Sequence, residues 1–351
     1  MKYLKLFEEY IYETSIRDEY TKKVGWILQE DNADDLKSPL NVKAREALYD
    51  TYYIKEEHDD SQVKVNHSIP ILFYGTSNGE KTDVFLKDKA VREENLYNSR
   101  QSLGKSGDKV VFAQMFAGKP WLPQTTTDKL DVLNGLLDFP LVAKIRNGHS
   151  GVGIEKFNSK EEFASCERDY DLYTKCIDFV KEYRVVFCKN NIVCVNERVT
   201  VNGSGLDKKK SNESIDFIYV YQDMSKLPEK LFTDIEKIRR DIQEANPLDL
   251  WSLDIVIDQN DKVWVLETSA NTGLGATKMC EVYNAIYEDF YKKPLPANFL
   301  EGLHTNYVIP EQSEVWKSYK KEVMSSECGM DYNKVTGNGG ADYFFNKINK
   351  L

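Results

Sequence analysis

The sequence predicts a mixed α/β fold in two or three packed lobes, on three observations. The chain has 351 residues, enough for more than one hydrophobic core. Its apolar residues fall in short strand-like blocks and, separately, in helical steps of three and four. Two of the strand-like blocks are joined over a polar connection, Asp258, Gln259, Asn260 and Asp261, as in a hairpin.

Each element has a local reason. Residues 1–11 read as an amphipathic helix, because acidic residues interrupt the apolar stretch where a signal peptide would carry an apolar core. Strand-like runs follow at Val24–Leu28, Ile69–Tyr74 and Asp83–Leu86. From Asn95 to Gly107 the chain turns polar, and a first domain boundary is expected there, closing an N-terminal domain over 1–107. Residues 108–116 have helical spacing and are halted by Gly118 and Pro120. Further strands are expected at Leu141–Lys144, Tyr183–Cys188 and Ile192–Asn196. The clearest helix spans Pro228–Ala245: Leu231, Ile235, Ile238, Ile242 and Ala245 recur at steps of three and four, and Pro247 stops the run. Strands at Leu250–Ile257 and Val263–Leu266 and a helix at Thr277–Tyr291 complete a second domain over 108–293. Residues 294–351 form a polar C-terminal extension.

Composition excludes several classes. Hydrophobic residues make up 41% and charged residues 30%, the balance of a soluble globular protein, and no apolar run approaches the roughly 20 residues that cross a bilayer. A net charge of −10 opposes a broad electrostatic grip on nucleic acid or anionic membrane. Lys208, Lys209 and Lys210 form one local basic spot in a Gly/Ser/Asn-rich loop. The six cysteines contain no Cys-x-x-Cys pair and the four histidines are scattered, so reduced thiols, a cytoplasmic setting and no zinc site are expected.

Two constellations carry chemistry. The segment Pro140–Ile154 places Lys144 at the end of an apolar strand and follows it with Gly148, Gly151 and Gly153. A lysine charge beside backbone N–H groups that lack a Cβ shield suits a nucleotide phosphate; a glycine-rich hairpin turn beside a surface lysine fits the same residues. The segment is neither a Walker loop nor a dinucleotide fingerprint, since an extended run follows the glycines. The second constellation is the hairpin. Leu253, Ile255 and Ile257 share one face and Asp254 takes the other, and a turn over 259–262 sets Asp254 opposite Glu267 with Cβ atoms about 5 Å apart. Such a pair either shares a hard cation such as magnesium or points into solvent. Trp121, Trp251 and Trp264 lie among apolar neighbours and are expected to fill packing interfaces.

Beyond these two, the order of motifs resembles the ATP-grasp superfamily, and within it the glutathione-synthase-like and ribosomal-protein glutamate ligase branch. The resemblance covers about Asn95 to Tyr291. Its elements are 106–109 (Ser-Gly-Asp-Lys), 118–125 (Gly-Lys-Pro-Trp-Leu-Pro-Gln-Thr), 139–144 with the glycine loop, 181–186 (Lys-Glu-Tyr-Arg-Val-Val), 253–257 and 265–274. It implies a three-lobed architecture with ATP held between two mixed or antiparallel-sheet subdomains, hinged near 171–180.

The resemblance also implies roles. Lys109 and Lys144 would reach the ATP phosphates under a flap that includes His149, Ser150, Gly151 and Gly153. The segment Thr174–Ile177 would offer backbone groups of Lys175, Cys176 and Ile177 to adenine, and Glu182 would accept from the ribose hydroxyls. Arg184 and Arg198 would steady the transferred phosphate or a substrate carboxylate, with Asn212 beside them; a surface ion pair is the plainer reading of Arg184. Asp254 and Glu267 would hold Mg2+, with Mn2+ as an alternative. The family usually has asparagine two residues after that glutamate; here Ser269 stands there, with Asn271 two further on.

The implied activity is carboxylate–amine ligation through an acyl phosphate, giving ADP and phosphate, with an amino acid, peptide or protein tail as acceptor. The alternatives are a phosphotransferase and an ATP-binding protein without turnover. Relatives are often dimers or tetramers, so a homo-oligomer is open.

Overall fold

The computed structural model describes residues 24–29, 39–54, 64–74, 87, 89–98, 100–147, 153–200, 217–222, 224–270, 276–296 and 299–300. The expected N-terminal helix, the strand at 83–86, Lys208–Lys210 and nearly all of the C-terminal extension lie outside them. The chain divides into two units, with a break between Ser99 and Arg100.

The first unit holds a parallel four-stranded sheet. Strands β1 (Val24–Gln29), β2 (Tyr49–Ile54), β3 (Ile71–Tyr74) and β4 (Leu96–Tyr97) take the order β2-β1-β3-β4. Helix α1 (Pro39–Leu48) connects the first two. The closing helix Ala276–Tyr291 packs on α1 and β1, so it belongs to this unit and not to the 108–293 segment in which its sequence position sets it. Tyr49 ties the two parts: its hydroxyl donates to the Met279 carbonyl at 2.7 Å and its ring meets Trp26 and Tyr283 edge-on.

The second unit, Arg100–Ala270 among the described residues, contains two antiparallel sheets. It opens with two short helices, α2 (Arg100–Gly107) and α3 (Lys109–Met115). The polar composition of 100–107 concealed α2. It is held by packing and not by propensity: Ser102 and Ser106 are buried, and Asn246 donates to the Ser102 carbonyl at 3.3 Å. Asp108 then caps α3, accepting from the N–H groups of Val110 and Val111 at 3.0 Å each.

The smaller sheet has the order β5-β8-β6-β7, built from β5 (Thr125–Thr126), β6 (Leu141–Lys144), β7 (Ile154–Phe157) and β8 (Leu172–Lys175). Period-two alternation splits its faces. Leu141, Ala143, Phe157 and Tyr173 join Phe163 in one core, under the short helices α4 (Lys129–Leu133) and α5 (Lys160–Ala164). Thr125, Lys144, Leu172 and Thr174 take the other face. Only residues 176–178 separate β8 from the first strand of the larger sheet.

That sheet has the order β11-β10-β9-β12-β13, from β9 (Phe179–Cys188), β10 (Asn191–Thr200), β11 (Phe217–Tyr221), β12 (Leu250–Asp258) and β13 (Val263–Ser269). Helix α6 (Glu229–Ala245) covers one face, burying Leu231, Ile235, Ile238 and Ile242. Pro228 is its N-cap residue, one position before the first turn. These side chains meet Tyr183, Val185, Phe187, Trp251, Leu253 and Ile255, and each contributes roughly 1.5–3 kcal/mol by leaving water. Trp121 and Trp251 fill this core as expected. Trp264 does not: it is half-buried, donates to Asp258 at 2.9 Å and carries the Lys262 ammonium over its ring. The face of the sheet away from α6 carries Glu182 and Arg184 of β9, Asn196 and Arg198 of β10, and Asp254 of β12.

Candidate functional site

A cleft of about 430 Å³, partly open to solvent, lies within the second unit. Its floor is the face of the small sheet bearing Lys144, Leu172 and Thr174; its walls are the ends of α2 and α3, Leu122 with Pro123, and Val265–Thr268 of β13. Helix α3 supplies Lys109, Phe112 and Ala113, which share one face at steps of three and four.

Both lysines singled out in the sequence reach the same strand. Lys109 Nζ lies 3.4 Å from Glu267 Oε2, and Lys144 Nζ donates to the Leu266 carbonyl at 3.5 Å. The base of the glycine loop is fixed beside them. Arg146 donates from Nε to Asp108 at 2.6 Å and from its backbone N–H to Asp171 at 2.8 Å, while Lys109 N–H donates to the Arg146 carbonyl. Burial works to raise the Asp108 carboxyl, but the Val111 and Val110 N–H groups and the Arg146 guanidinium outweigh it and hold its pKa below the ordinary value. Gly153 closes the hairpin: φ is +72°, and its carbonyl accepts from Ile145 N–H at 3.0 Å.

The other charged residues lie in register across the large sheet. Asn196 pairs with Arg184, Arg184 with Asp254 and Asp254 with Glu267. Directly paired residues share a face, so these four form one row across β10, β9, β12 and β13. A bulge after Asp254 keeps Glu267 on that face while Val265 turns into the core opposite Ile255. The expected opposition of Asp254 and Glu267 is therefore what the register shows.

Asp254 is not solvent-facing. Arg184 Nε and Nη2 donate to its two oxygens at 2.7 and 2.6 Å, with the two side chains only 19% and 12% exposed. Arg184 is thus not a surface ion pair. Arg198 Nη1 donates to Glu182 Oε1 at 2.7 Å in a second part-buried pair on the same face. Glu182, Arg184, Arg198, Asp254 and Glu267 come together on one face, and Lys109 joins them through Glu267.

In the segment 174–177 the strand ends at Lys175, and the N–H groups of Lys175 and Cys176 donate to the Gln124 and Pro140 carbonyls at 2.9 and 3.1 Å. These bonds fix the strand end against its neighbours; Lys175 Nζ lies 3.9 Å from Asp138, out in solvent. Ser269 pairs with Ser252, and its carbonyl accepts from that hydroxyl at 3.4 Å. His149, Ser150, Gly151, Asn212 and Asn271 lie outside the described residues.

Two side chains at this site escaped the sequence reading. Asn196 is fully buried in the row beside Arg184; its position two residues before Arg198, hence on the same face of a strand, was the available signal. Thr174 lines the cleft, which only the pairing of β8 reveals.

Asp254 and Glu267 fit a hard divalent cation: they are neighbouring oxygen donors on one face, and each now satisfies its charge with a cationic side chain. Among the described residues no group of three or more His, Cys, Asp or Glu side chains gathers as a metal site, so such an ion would need ligand oxygens beyond the protein's pair. That is the usual condition of magnesium at a nucleotide phosphate. Among the described residues no helix is long and apolar enough to cross a membrane, and the five described cysteines are free.

No family model matches the chain, and no curated protein matches it by sequence. Solved structures do. It is similar to D-alanine–D-alanine ligase from Bacillus anthracis complexed with ATP, with a TM-score of 0.51, 15% identity, and coverage of 72% of this chain and 86% of that one. ATP-grasp ligase PsnB complexed with a minimal precursor gives a TM-score of 0.51, 11% identity, and coverage of 76% and 98%. The N5-carboxyaminoimidazole synthase from Aspergillus clavatus, in complex with ADP and its ribonucleotide, gives 0.53, 12%, and 80% of both chains. Identities this low speak for architecture: the chain has the ATP-grasp fold.

Proposed function

We propose that this protein is an ATP-dependent ligase that joins a carboxylate to an amine through an acyl phosphate, releasing ADP and phosphate. The observation that carries this is the convergence on β13: Lys109 at Glu267, Lys144 at the adjacent carbonyl, and Asp254 opposite Glu267 on the face that bears Arg184 and Arg198. Cations and carboxylates alternate there, which suits a polyphosphate and a hard metal ion. In each of the three solved structures above, the protein is named as a ligase or synthase.

A carboxylate is a poor electrophile and needs activation. Its oxygen attacks the γ-phosphorus, the bond to the β-bridging oxygen breaks, and ADP leaves. The amine then attacks the acyl carbon and phosphate departs with the bonding pair. Lys109 and Lys144 hold the phosphate oxygens, and Arg184 and Arg198 neutralise the charge that develops during transfer. Asp254 and Glu267 would hold Mg2+ or Mn2+, and the ion would supply charge neutralisation for the phosphates. Glu182 orients Arg198, besides the ribose contact expected of it. The acceptor class is an amino acid, a peptide or a protein tail.

The test is phosphate release by the pure protein with ATP and magnesium, against pools of carboxylates and amines, with Lys144→Ala and Glu267→Ala in parallel. Release that requires one carboxylate and one amine, and that falls at least a hundredfold in both variants, is the expected result. Undiminished release in either variant refutes the assignment, and a stable phosphorylated product with no amine consumed identifies a phosphotransferase instead.

A further inference from the structure

Lys109 and Lys144 are rooted in different cores. Helix α3 carries Lys109 and buries Phe112 and Phe116 in the core beneath α6, whereas β6 carries Lys144 and buries Leu141 and Ala143 in the core of the small sheet. A lysine places its charge only as well as its backbone is placed, and two charges grip one polyanion only at a matched spacing. Val110 and Ala113 pack on Leu172, a small apolar contact between the two. The polar link is Arg146, which uses its carbonyl, its side chain and its backbone N–H. The carbonyl accepts from Lys109 N–H at 3.2 Å, and Nε donates to Asp108 Oδ2 at 2.6 Å. The N–H donates to Asp171 at 2.8 Å, and Asp171 N–H donates in turn to the Lys144 carbonyl at 3.0 Å. Asp108 cannot turn away without uncapping α3, because its other oxygen, Oδ1, accepts from Val110 and Val111 N–H.

We infer that Arg146 is a positioning residue: through Asp108 it holds the root of Lys109 against that of Lys144, and so sets the spacing of the two ammonium groups for the phosphates of a bound nucleotide. This rests on the phosphate role proposed above for the two lysines. Neither Arg146 nor Asp108 lines the cleft, so each acts through the lysine beside it. The pair is partly solvated, with side chains 49% and 17% exposed, and its worth to the fold is accordingly small. Its removal therefore shows in nucleotide affinity before it shows in stability.

Calorimetric titration of the full chain with ATP and magnesium tests this in Asp108→Asn, Arg146→Gln, the double variant, Arg146→Lys and Lys144→Ala. Asparagine still caps α3 through its carbonyl oxygen but turns an amide N–H toward the guanidinium. Asp108→Asn and Arg146→Gln should each weaken ATP about tenfold, and the double variant should lose no more than either, since one contact is broken in all three. Arg146→Lys keeps a cationic donor within reach of Asp108 and should bind within about threefold of the unaltered protein. Urea midpoints should fall by less than about 0.5 M; a larger fall accompanying the lost affinity assigns Arg146 to the fold and overturns the inference. Unchanged affinity in both single variants overturns it too, as do losses that multiply in the double variant. So does a loss confined to Arg146→Gln, which would mean that the guanidinium meets the nucleotide itself. In these cases the nucleotide reading stands as long as Lys144→Ala binds ATP about tenfold more weakly or worse. Both fall if the unaltered protein does not bind ATP, or if Lys144→Ala binds it equally well.

Discussion

Gly153 has a φ of +72°, and a Cβ built on it would drive into the side chain of Ile145. Both facts penalise any larger residue, because the conformation is unfavourable for L side chains and the neighbour belongs to the same hairpin. Gly153→Ala is expected to cost about 1–3 kcal/mol, read as a lower urea midpoint at unchanged slope. An unchanged midpoint would mean that Ile145 moves aside freely. Glu197 is a different single-residue case. It is 6% exposed on the α6-covered face of β10, beside Tyr183, and one of its oxygens has no hydrogen-bond partner. Burial pushes its carboxyl above the ordinary value of 4.5, with Lys181 opposing. Above that value the unfolded chain has lost the proton that the folded chain still holds. The native state binds more protons, and this group's contribution falls as pH rises through the folded pKa. Glu197→Gln should therefore stabilise the protein at neutral pH by about 1 kcal/mol and have little effect well below pH 4.5. A variant less stable at pH 7 than at pH 4, relative to the unaltered protein, would contradict that sign.

At the scale of elements, α6 shows how a helix acquires its place. Its apolar stripe was legible because a period near 3.6 fixes one face irrespective of what it meets. What it meets was only partly so: Asp241, on its polar side, accepts from Trp121 Nε1 and Lys119 Nζ at 2.8 Å each, pinning the loop after α3 to the helix. Asp241→Ala would leave the buried Trp121 N–H without an acceptor and cost about 1–3 kcal/mol in a denaturant melt, whereas Lys119→Ala, which removes only a half-exposed ammonium, should cost under about 1 kcal/mol. Equal losses would mean that the ion pair, and not the indole, carries the tie. The same contrast explains what could be read beforehand. The hairpin was legible through alternation, but its register was not: Ile257 pairs with Val263, one residue off a turn over 259–262, and only the bulge after Asp254 sets Asp254 against Glu267. The helix at 100–107 has no periodic apolar face, since its burial depends on small serines meeting a core that the sequence places far away. The pairing of β8 with β5 and β6 is equally non-local, and only that pairing sets Thr174 in the cleft.

For the molecule as a whole, net charge conceals the character of the site. A chain of net charge −10 gathers Lys109, Lys144, Arg184 and Arg198 around Glu182, Asp254 and Glu267, a local excess of cations that favours a polyanion. The two carboxylates best placed for a metal are held by protein cations, Asp254 by Nε and Nη2 of Arg184 and Glu267 by Lys109. A divalent ion arriving alone must displace these pairs and still lacks ligands. One arriving with a triphosphate brings oxygens for itself and anionic partners for the displaced arginine and lysine. Divalent binding should accordingly depend on nucleotide. Titration of the free protein with Mn2+, followed by electron paramagnetic resonance, is expected to show affinity no tighter than millimolar, and addition of ATP should produce bound ion at micromolar levels. Arg184→Gln frees Asp254 and should strengthen Mn2+ binding without nucleotide about tenfold, since a charge-assisted pair is worth about 1.5–3 kcal/mol. Circular dichroism on the same sample would establish that the sheet persists. Micromolar Mn2+ binding by the unaltered protein without nucleotide would mean that the ion pairs do not guard the carboxylates.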